Sequence, residues 1–216
     1  MKYTDIKNHD VKPQMSPSAR QARSFLDPLE GKTAAFLLDD RPSNLRFAEA
    51  ILPLLAGDWR GCSLLDIDAF YSSNLDTIAA RVPPRVLENC EITVPEPGSD
   101  IEASLADLFH GGQDRPLLLD SANSLYQLLS WRNPRSSSRK FTFLISALSD
   151  CARANRKPVV ASIYKRRQKA HTRASRSLAD AFDVLVSVSR KTRGLVFRCE
   201  RGRAWRDGNF FLALEM

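Results

Sequence analysis

Arg115-Pro-Leu-Leu-Leu-Asp120-Ser-Ala-Asn-Ser-Leu-Tyr126 is the stretch that decides how this chain is read. Three leucines make a short apolar run of the length a buried strand needs. The run stops on a carboxylate, small hydroxyl residues follow, and a helix-forming segment begins at once. Strand, acid and helix in that order announce an α/β sheet with a charged group at a strand end.

The same alternation extends to both sides. Upstream, Thr33-Ala-Ala-Phe-Leu-Leu-Asp39 reads as a buried strand that Arg41-Pro-Ser-Asn44 breaks. A helix then places Phe47, Ile51, Leu54 and Leu55 on one face. Cys62–Asp68 is the next strand, a helix lies near Leu75–Arg81, and Glu91–Val94 is a short strand. Ser99-x-x-Glu102 resembles a capping box that opens a helix carrying Ile101, Leu105 and Leu108. Downstream, a helix over Phe141–Ala154 leads into the strand Pro158–Ile163. Val184–Ser189, Leu195–Cys199 and Phe210–Leu214, parted by Gly194, Gly202 and Gly208, read as an antiparallel meander. The predicted fold class is α/β: a mostly parallel sheet flanked by helices, closing in a C-terminal antiparallel meander. Residues 1–24 are polar and carry Pro13 and Pro17, so a flexible tail is expected there, with a single core domain over 25–216.

Composition narrows the class. No apolar run approaches the roughly 20 residues that span a bilayer, and the N-terminus has no signal-peptide core. Cys62, Cys90, Cys151 and Cys199 are scattered without a Cys-x-x-Cys pair, which predicts reduced, mostly buried thiols in an intracellular protein and no metal site. The net charge of +7 is unevenly distributed. Trp131–Arg206 holds 20 Lys/Arg against four acids, while the rest holds 12 against 21, the segregation expected of a face that meets a polyanion. A basic interface for an acidic partner protein is the competing reading.

In order and spacing the chain resembles the core domain of the RecA/RadA recombinase family, and above all its short paralogues, over roughly residues 30–215 and without their separate helical N-terminal domain. The resemblance rests on Leu64-Leu-Asp-Ile-Asp68, on Pro116–Tyr126 as a match to apolar-Asp-Ser-Ala-x-x-Leu-Tyr, on Arg153–Val160 and on Leu178–Val186. It implies a RecA-like core in which Asp120 stands where an aspartate holds the magnesium of bound ATP.

The rest of that machinery is degenerate. A phosphate loop needs glycines whose N–H groups wrap the phosphates, a lysine for their charge, and Ser/Thr for magnesium. The turn after Phe36–Leu38 holds Asp39-Asp40-Arg41-Pro42-Ser43-Asn44, with no glycine or lysine and two carboxylates that would repel phosphate. Ser43 and Asn44 are what remains of the site. Gly31-Lys32-Thr33 lies before the strand and reads as a coincidence. Where the family places a glutamate base the nearest match is Asp68, and where it places a glutamine that senses the γ-phosphate this chain has Tyr164. Asp120 itself is open to two readings, as a remnant of the magnesium site or as a strand-end cap or partner contact. The expectation is weak or absent ATP hydrolysis and no cofactor, with ATP and magnesium held only at an interface shared with another subunit.

Two basic stretches occupy the positions of the family's DNA loops. Trp131, Arg132, Arg135, Arg139 and Lys140 form the first; Tyr164, Lys165, Arg166, Arg167, Lys169, Arg173 and Arg176 form the second. Cations neutralise backbone phosphates, and Trp131 or Tyr164 would stack on a base. The competing reading packs Trp131 on the core. His171 reads as a polar contact, and Phe47-Ala-Glu-Ala50, which matches the family's subunit-linking Phe-x-x-Ala, reads as core. The functional expectation is a non-catalytic paralogue in the nucleus or nucleoid that binds single-stranded or junction DNA. It would assist a catalytic recombinase or another paralogue in homologous recombination. A pseudo-ATPase that meets only an acidic protein, and an unconventional ATPase, are the alternatives.

Overall fold

The computed structural model describes residues 19–39, 41–58, 61–96, 100–111, 115–164, 178–192, 194–205 and 208–213. An eight-stranded sheet runs through it. In chain order the strands are β1 (Thr33–Leu38), β2 (Cys62–Asp66), β3 (Cys90–Thr93), β4 (Leu117–Asp120), β5 (Val159–Tyr164), β6 (Val184–Lys191), β7 (Gly194–Arg201) and β8 (Asn209–Ala213). Their spatial order is β3-β2-β4-β5-β1-β6-β7-β8. The first six positions pair in parallel, and β6–β7–β8 is the expected antiparallel meander.

Helices cover both faces. On one side lie α1 (Ala19–Leu26), α2 (Arg41–Asp58), α3 (Phe70–Ser73), α4 (Leu75–Ala79) and α5 (Pro84–Glu88); on the other lie α6 (Ile101–Gly111), α7 (Ala122–Arg132) and α8 (Ser137–Asn155). A parallel sheet needs this double cover, which is why β2 and β4 are buried at every position. In β6 the burial alternates, because the meander has one face toward the core.

Four details differ from the sequence reading. Helix α1 begins at Ala19, inside the stretch expected to be tail. It is held because Phe25 and Leu26 are fully buried, Phe25 among the rings of Phe36, Phe197, Trp205 and Phe210 at centroid distances of 5.0–6.1 Å. Arg41-Pro-Ser-Asn44 follows the end of β1 at Leu38, as expected, but is itself the first turn of α2 and not a segment before it. Proline in a first helical turn gives up an N–H that would have had no partner there, so Pro42 favours initiation. At α6 the first N–H groups are capped by Asp100, whose Oδ1 accepts from Glu102 N–H at 3.0 Å; Ser99 lies outside the described residues. The stretch 131–140 is not a loop: it is the end of α7, a turn at 133–136 and the first turn of α8. On α2 the expected face holds, with Phe47, Ile51, Leu54 and Leu55 all fully buried, each contributing about 1.5–3 kcal/mol of burial. Phe47 packs against Phe36 at 5.2 Å, as a core residue.

Candidate functional site

In open α/β sheets ligands bind beyond the carboxyl ends of the parallel strands. Here that region is organised around Asp120. β4 ends on it, in register with Asp66 at the end of β2. β5 brings Ser162 and Tyr164 alongside, and the first turn of α2 brings Asn44. A cis peptide joins Asp120 to Ser121. Ser121 then caps α7, accepting from Ser124 N–H at 3.3 Å.

Asp120, Asn44, Ser162 and Asp66 are fully buried. Ser162 Oγ donates to Asp120 Oδ1. Asn44 Nδ2 reaches both Asp120 oxygens at 3.4 Å and also donates to the Tyr164 hydroxyl. That hydroxyl donates in turn to Asp120 Oδ1 at 3.5 Å. Tyr164 is further fixed by its backbone N–H, which donates to Asn123 Oδ1 at 2.8 Å. Asp66 turns one oxygen to Ser72, accepting from its N–H at 2.8 Å and its hydroxyl at 2.9 Å. Among the described residues, Asp66 Oδ1, Asn44 Oδ1 and the Tyr71 hydroxyl are buried without a hydrogen-bond partner.

Burial is the main reason the Asp120 carboxyl is raised to about 7, and the charges of Asp66 and Asp68 push it the same way; the hydrogen bonds from Ser162 and Asn44 pull against them. Tyr71 is driven well above the usual phenol range, first by burial and then by the neighbouring charges of Asp120, Tyr164 and Asp66.

These residues do not fit the phosphates and magnesium of a nucleotide. β1 ends at Leu38 and α2 begins at Arg41, so the junction is two residues long and cannot form a cradle. Where a Lys-Ser/Thr pair would stand, Ser43 is half-buried on α2 and Asn44 points inward to Asp120. Asp120 meets protein donors rather than an open pocket. The Gly31-Lys32-Thr33 stretch lies at the opposite, amino end of β1. There Lys32 Nζ donates to the carbonyls of Pro28 and Arg203 at 2.7 and 3.1 Å, and Thr33 is bound to Asp183.

Of the expected nucleotide residues, Asn44 and Asp120 come together, whereas Asp68 is exposed. The buried acid of β2 is Asp66, which the sequence reading passed over together with Tyr71 and Ser162. The two aspartates of Leu64-Leu-Asp-Ile-Asp68 are two apart and share a strand face, so the choice depends on where the strand ends. Pairing with β4 stops it at Asp66.

The basic stretches divide differently. Trp131 is 82% exposed, which excludes packing on the core, and Arg132, Arg135, Arg139 and Lys140 are exposed beside it. Phe143, one turn further along α8 and also missed, is 71% exposed. Its i,i+4 spacing from Arg139 puts both on one outer face. Arg132 lies 3.7 Å from Asp100 and Lys140 3.1 Å from Glu102, exposed pairs that are weak and readily exchanged. Tyr164 is turned into the Asp120 cluster, so it is placed to support Asn44 and not to stack on a base. Lys165, Arg166, Arg167, Lys169, Arg173, Arg176 and His171 lie outside the described residues. Among the described residues no cluster of three or more His, Cys, Asp or Glu could hold a metal, and no helix is long and apolar enough to cross a membrane.

No family model and no curated protein matches the chain. Among solved structures it is similar to the crystal structure of the RadB recombinase, at 12% identity and a TM-score of 0.59, over 86% of this chain and 88% of that one. At that identity the likeness speaks of fold alone. It agrees with the strand order and the flanking helices: the chain has a RecA-like fold, with an antiparallel C-terminal extension of a mostly parallel sheet.

Proposed function

We propose that this chain is a non-catalytic member of the recombinase lineage that binds single-stranded or junction DNA. It acts beside a catalytic recombinase or another paralogue in recombination and repair. The observation that carries the reading is a division of labour across one end of the fold. The place for a nucleotide is filled by Asn44, Ser162 and Tyr164, which bond to Asp120, while the α7–α8 corner presents aromatics and cations to solvent. Asp120 is held by Ser162, Asn44 and Tyr164, so it serves as a buried joint between β4, β5 and α2. Trp131 supplies a stacking surface, and Arg132, Arg135, Arg139 and Lys140 supply charge for phosphates. The 165–176 stretch, outside the described residues, carries six more cations in the sequence.

The second reading, a pseudo-ATPase whose basic face meets an acidic protein, draws on Trp131 and Phe143, since large exposed apolar groups also mark protein interfaces.

Fluorescence anisotropy of a labelled single-stranded oligonucleotide, titrated at several salt concentrations with and without Mg-ATP, separates the readings. Neutralising about four phosphates gives a slope of roughly −3 in log K against log salt, unchanged by ATP. No binding under any condition refutes the DNA reading and turns the corner into a protein interface. ATP turnover that Asp120→Asn abolishes overturns the non-catalytic assignment.

A further inference from the structure

We propose that Cys62 and Cys90 are an oxidisable pair, which a peroxide closes into an intrachain disulfide. They are direct partners in the parallel pairing of β2 and β3, and their Sγ atoms are 3.0 Å apart. Neighbouring residues across a sheet carry their side chains on the same face at a spacing within the reach of a disulfide.

The local backbone enforces the approach. Gly61 has φ +137°, and a Cβ there would lie 2.2 Å from the Asn89 carbonyl oxygen. Only glycine admits that contact, and it leads directly into the hydrogen bond from Cys62 N–H to the same carbonyl at 3.2 Å. The two chains therefore enter their strands tightly juxtaposed, and the first side chain of each strand is a cysteine.

The pair is asymmetric. Cys62 is fully buried, whereas Cys90 is half-buried on an edge strand. The hydrogen bond with Cys90 and then burial hold the Cys62 thiol well above its usual range, so it stays protonated. Cys90 is the sulfur a small oxidant can reach. Its thiolate attacks one peroxide oxygen, the O–O bond breaks, and hydroxide leaves as water, giving a sulfenic acid. Cys62 Sγ then attacks the Cys90 sulfur; the S–O bond breaks, and hydroxide departs as water with the Cys62 proton. Two thiols are oxidised and one peroxide is reduced to two waters. The closed ring contains α3, α4 and α5 together with Asp66 and Tyr71, one wall of the Asp120 cluster.

The test exposes the full chain, folded and reduced, to hydrogen peroxide, then unfolds it in N-ethylmaleimide and maps tryptic peptides. The expected result is a cross-link between peptides 61–81 and 86–132, which contain Cys62 and Cys90 and no other cysteine. Two of the four thiols stay unlabelled, Cys151 and Cys199 are labelled, and dithiothreitol reverses the link. Cys90→Ser should leave Cys62 fully labelled after the same exposure. If that variant fails to fold, the wild-type map decides alone. Full labelling of Cys62 with Cys90 carried to sulfinic acid, or cross-links that run to Cys151 or Cys199 instead, overturns the proposal.

Discussion

Asp120 and Asp183 are carboxylates at opposite ends of one sheet, and their surroundings treat the negative charge in opposite ways. Asp183, just before β6, accepts from Thr33 N–H at 2.9 Å and from the hydroxyls of Thr33 and Ser149 at 2.8 Å each, and it faces Arg153 at 3.1 Å. Burial alone would raise its carboxyl, but these donors and the Arg153 charge outweigh burial and hold it below the usual carboxylate range. Asp120 has donors too, but among the described residues no cation lowers it and two acids raise it, so burial prevails and its carboxyl rises to about 7. The contrast teaches that the amino end of this sheet is fastened by a charge, while the carboxyl end carries a charge it has not neutralised. The magnesium ion of a bound nucleotide would bring positive charge to such an acid, whereas here Asn44 and Tyr164 stand against Asp120.

The largest expected effect is at the fastened end. Asp183→Ala leaves Thr33, Ser149 and Arg153 without their acceptor and is expected to cost about 3 kcal/mol in thermal or denaturant unfolding. Unchanged stability would make Asp183 a surface residue and dissolve the comparison.

At the other end the sign reverses. A folded-state value raised from 3.8 to about 7 means that the folded chain binds the extra proton. The Asp120 contribution is therefore full below pH about 4 and is lost as pH rises through about 7. Asp120→Asn should raise stability at pH 8 by about 2 kcal/mol and flatten the profile between those limits, less than the full linkage because an amide answers the Asn44 and Ser162 donors poorly. Stability that instead rises from pH 4 to 7, with the variant weaker at pH 8, would show a compensated charge. Asp183 moves the other way: its contribution is present above about pH 4 and disappears on further acidification.

At the exposed corner, Arg135→Glu with Arg139→Glu should weaken single-stranded DNA binding at least about tenfold at low salt and flatten the salt slope by about 1.4. Trp131→Ala should cost about 1–3 kcal/mol of affinity with the slope unchanged. A DNA affinity indifferent to both sets of changes would confine DNA contacts to residues 165–176 or refute them. The smallest effect is at Asp68→Asn, within about 0.5 kcal/mol of wild type, because the residue is exposed. It should still lower the Asp120 midpoint slightly, since its charge helps to raise it.

Much of the fold was legible because burial leaves a periodic trace. The apolar runs at Thr33–Leu38 and Leu117–Asp120 and the helical spacing of Phe47, Ile51, Leu54 and Leu55 each appear where they were expected. The end of a strand leaves no such trace, so Asp68 was preferred to Asp66. The start of α2 lies earlier than its apolar spacing indicates, because the polar first turn Arg41–Asn44 carries no periodic trace and Pro42 suits that turn.

By itself, then, the sequence determined the α/β alternation, the antiparallel finish, the missing glycine and lysine after β1 and the basic half of the chain. All of these are properties of neighbours along the chain. Only the tertiary structure decided that Asn44, Asp120, Ser162 and Tyr164 share one buried cluster, that Trp131 stands in solvent and that Cys62 faces Cys90. Those facts depend on which strands lie side by side, and the order β3-β2-β4-β5-β1 is set by packing between residues far apart in sequence.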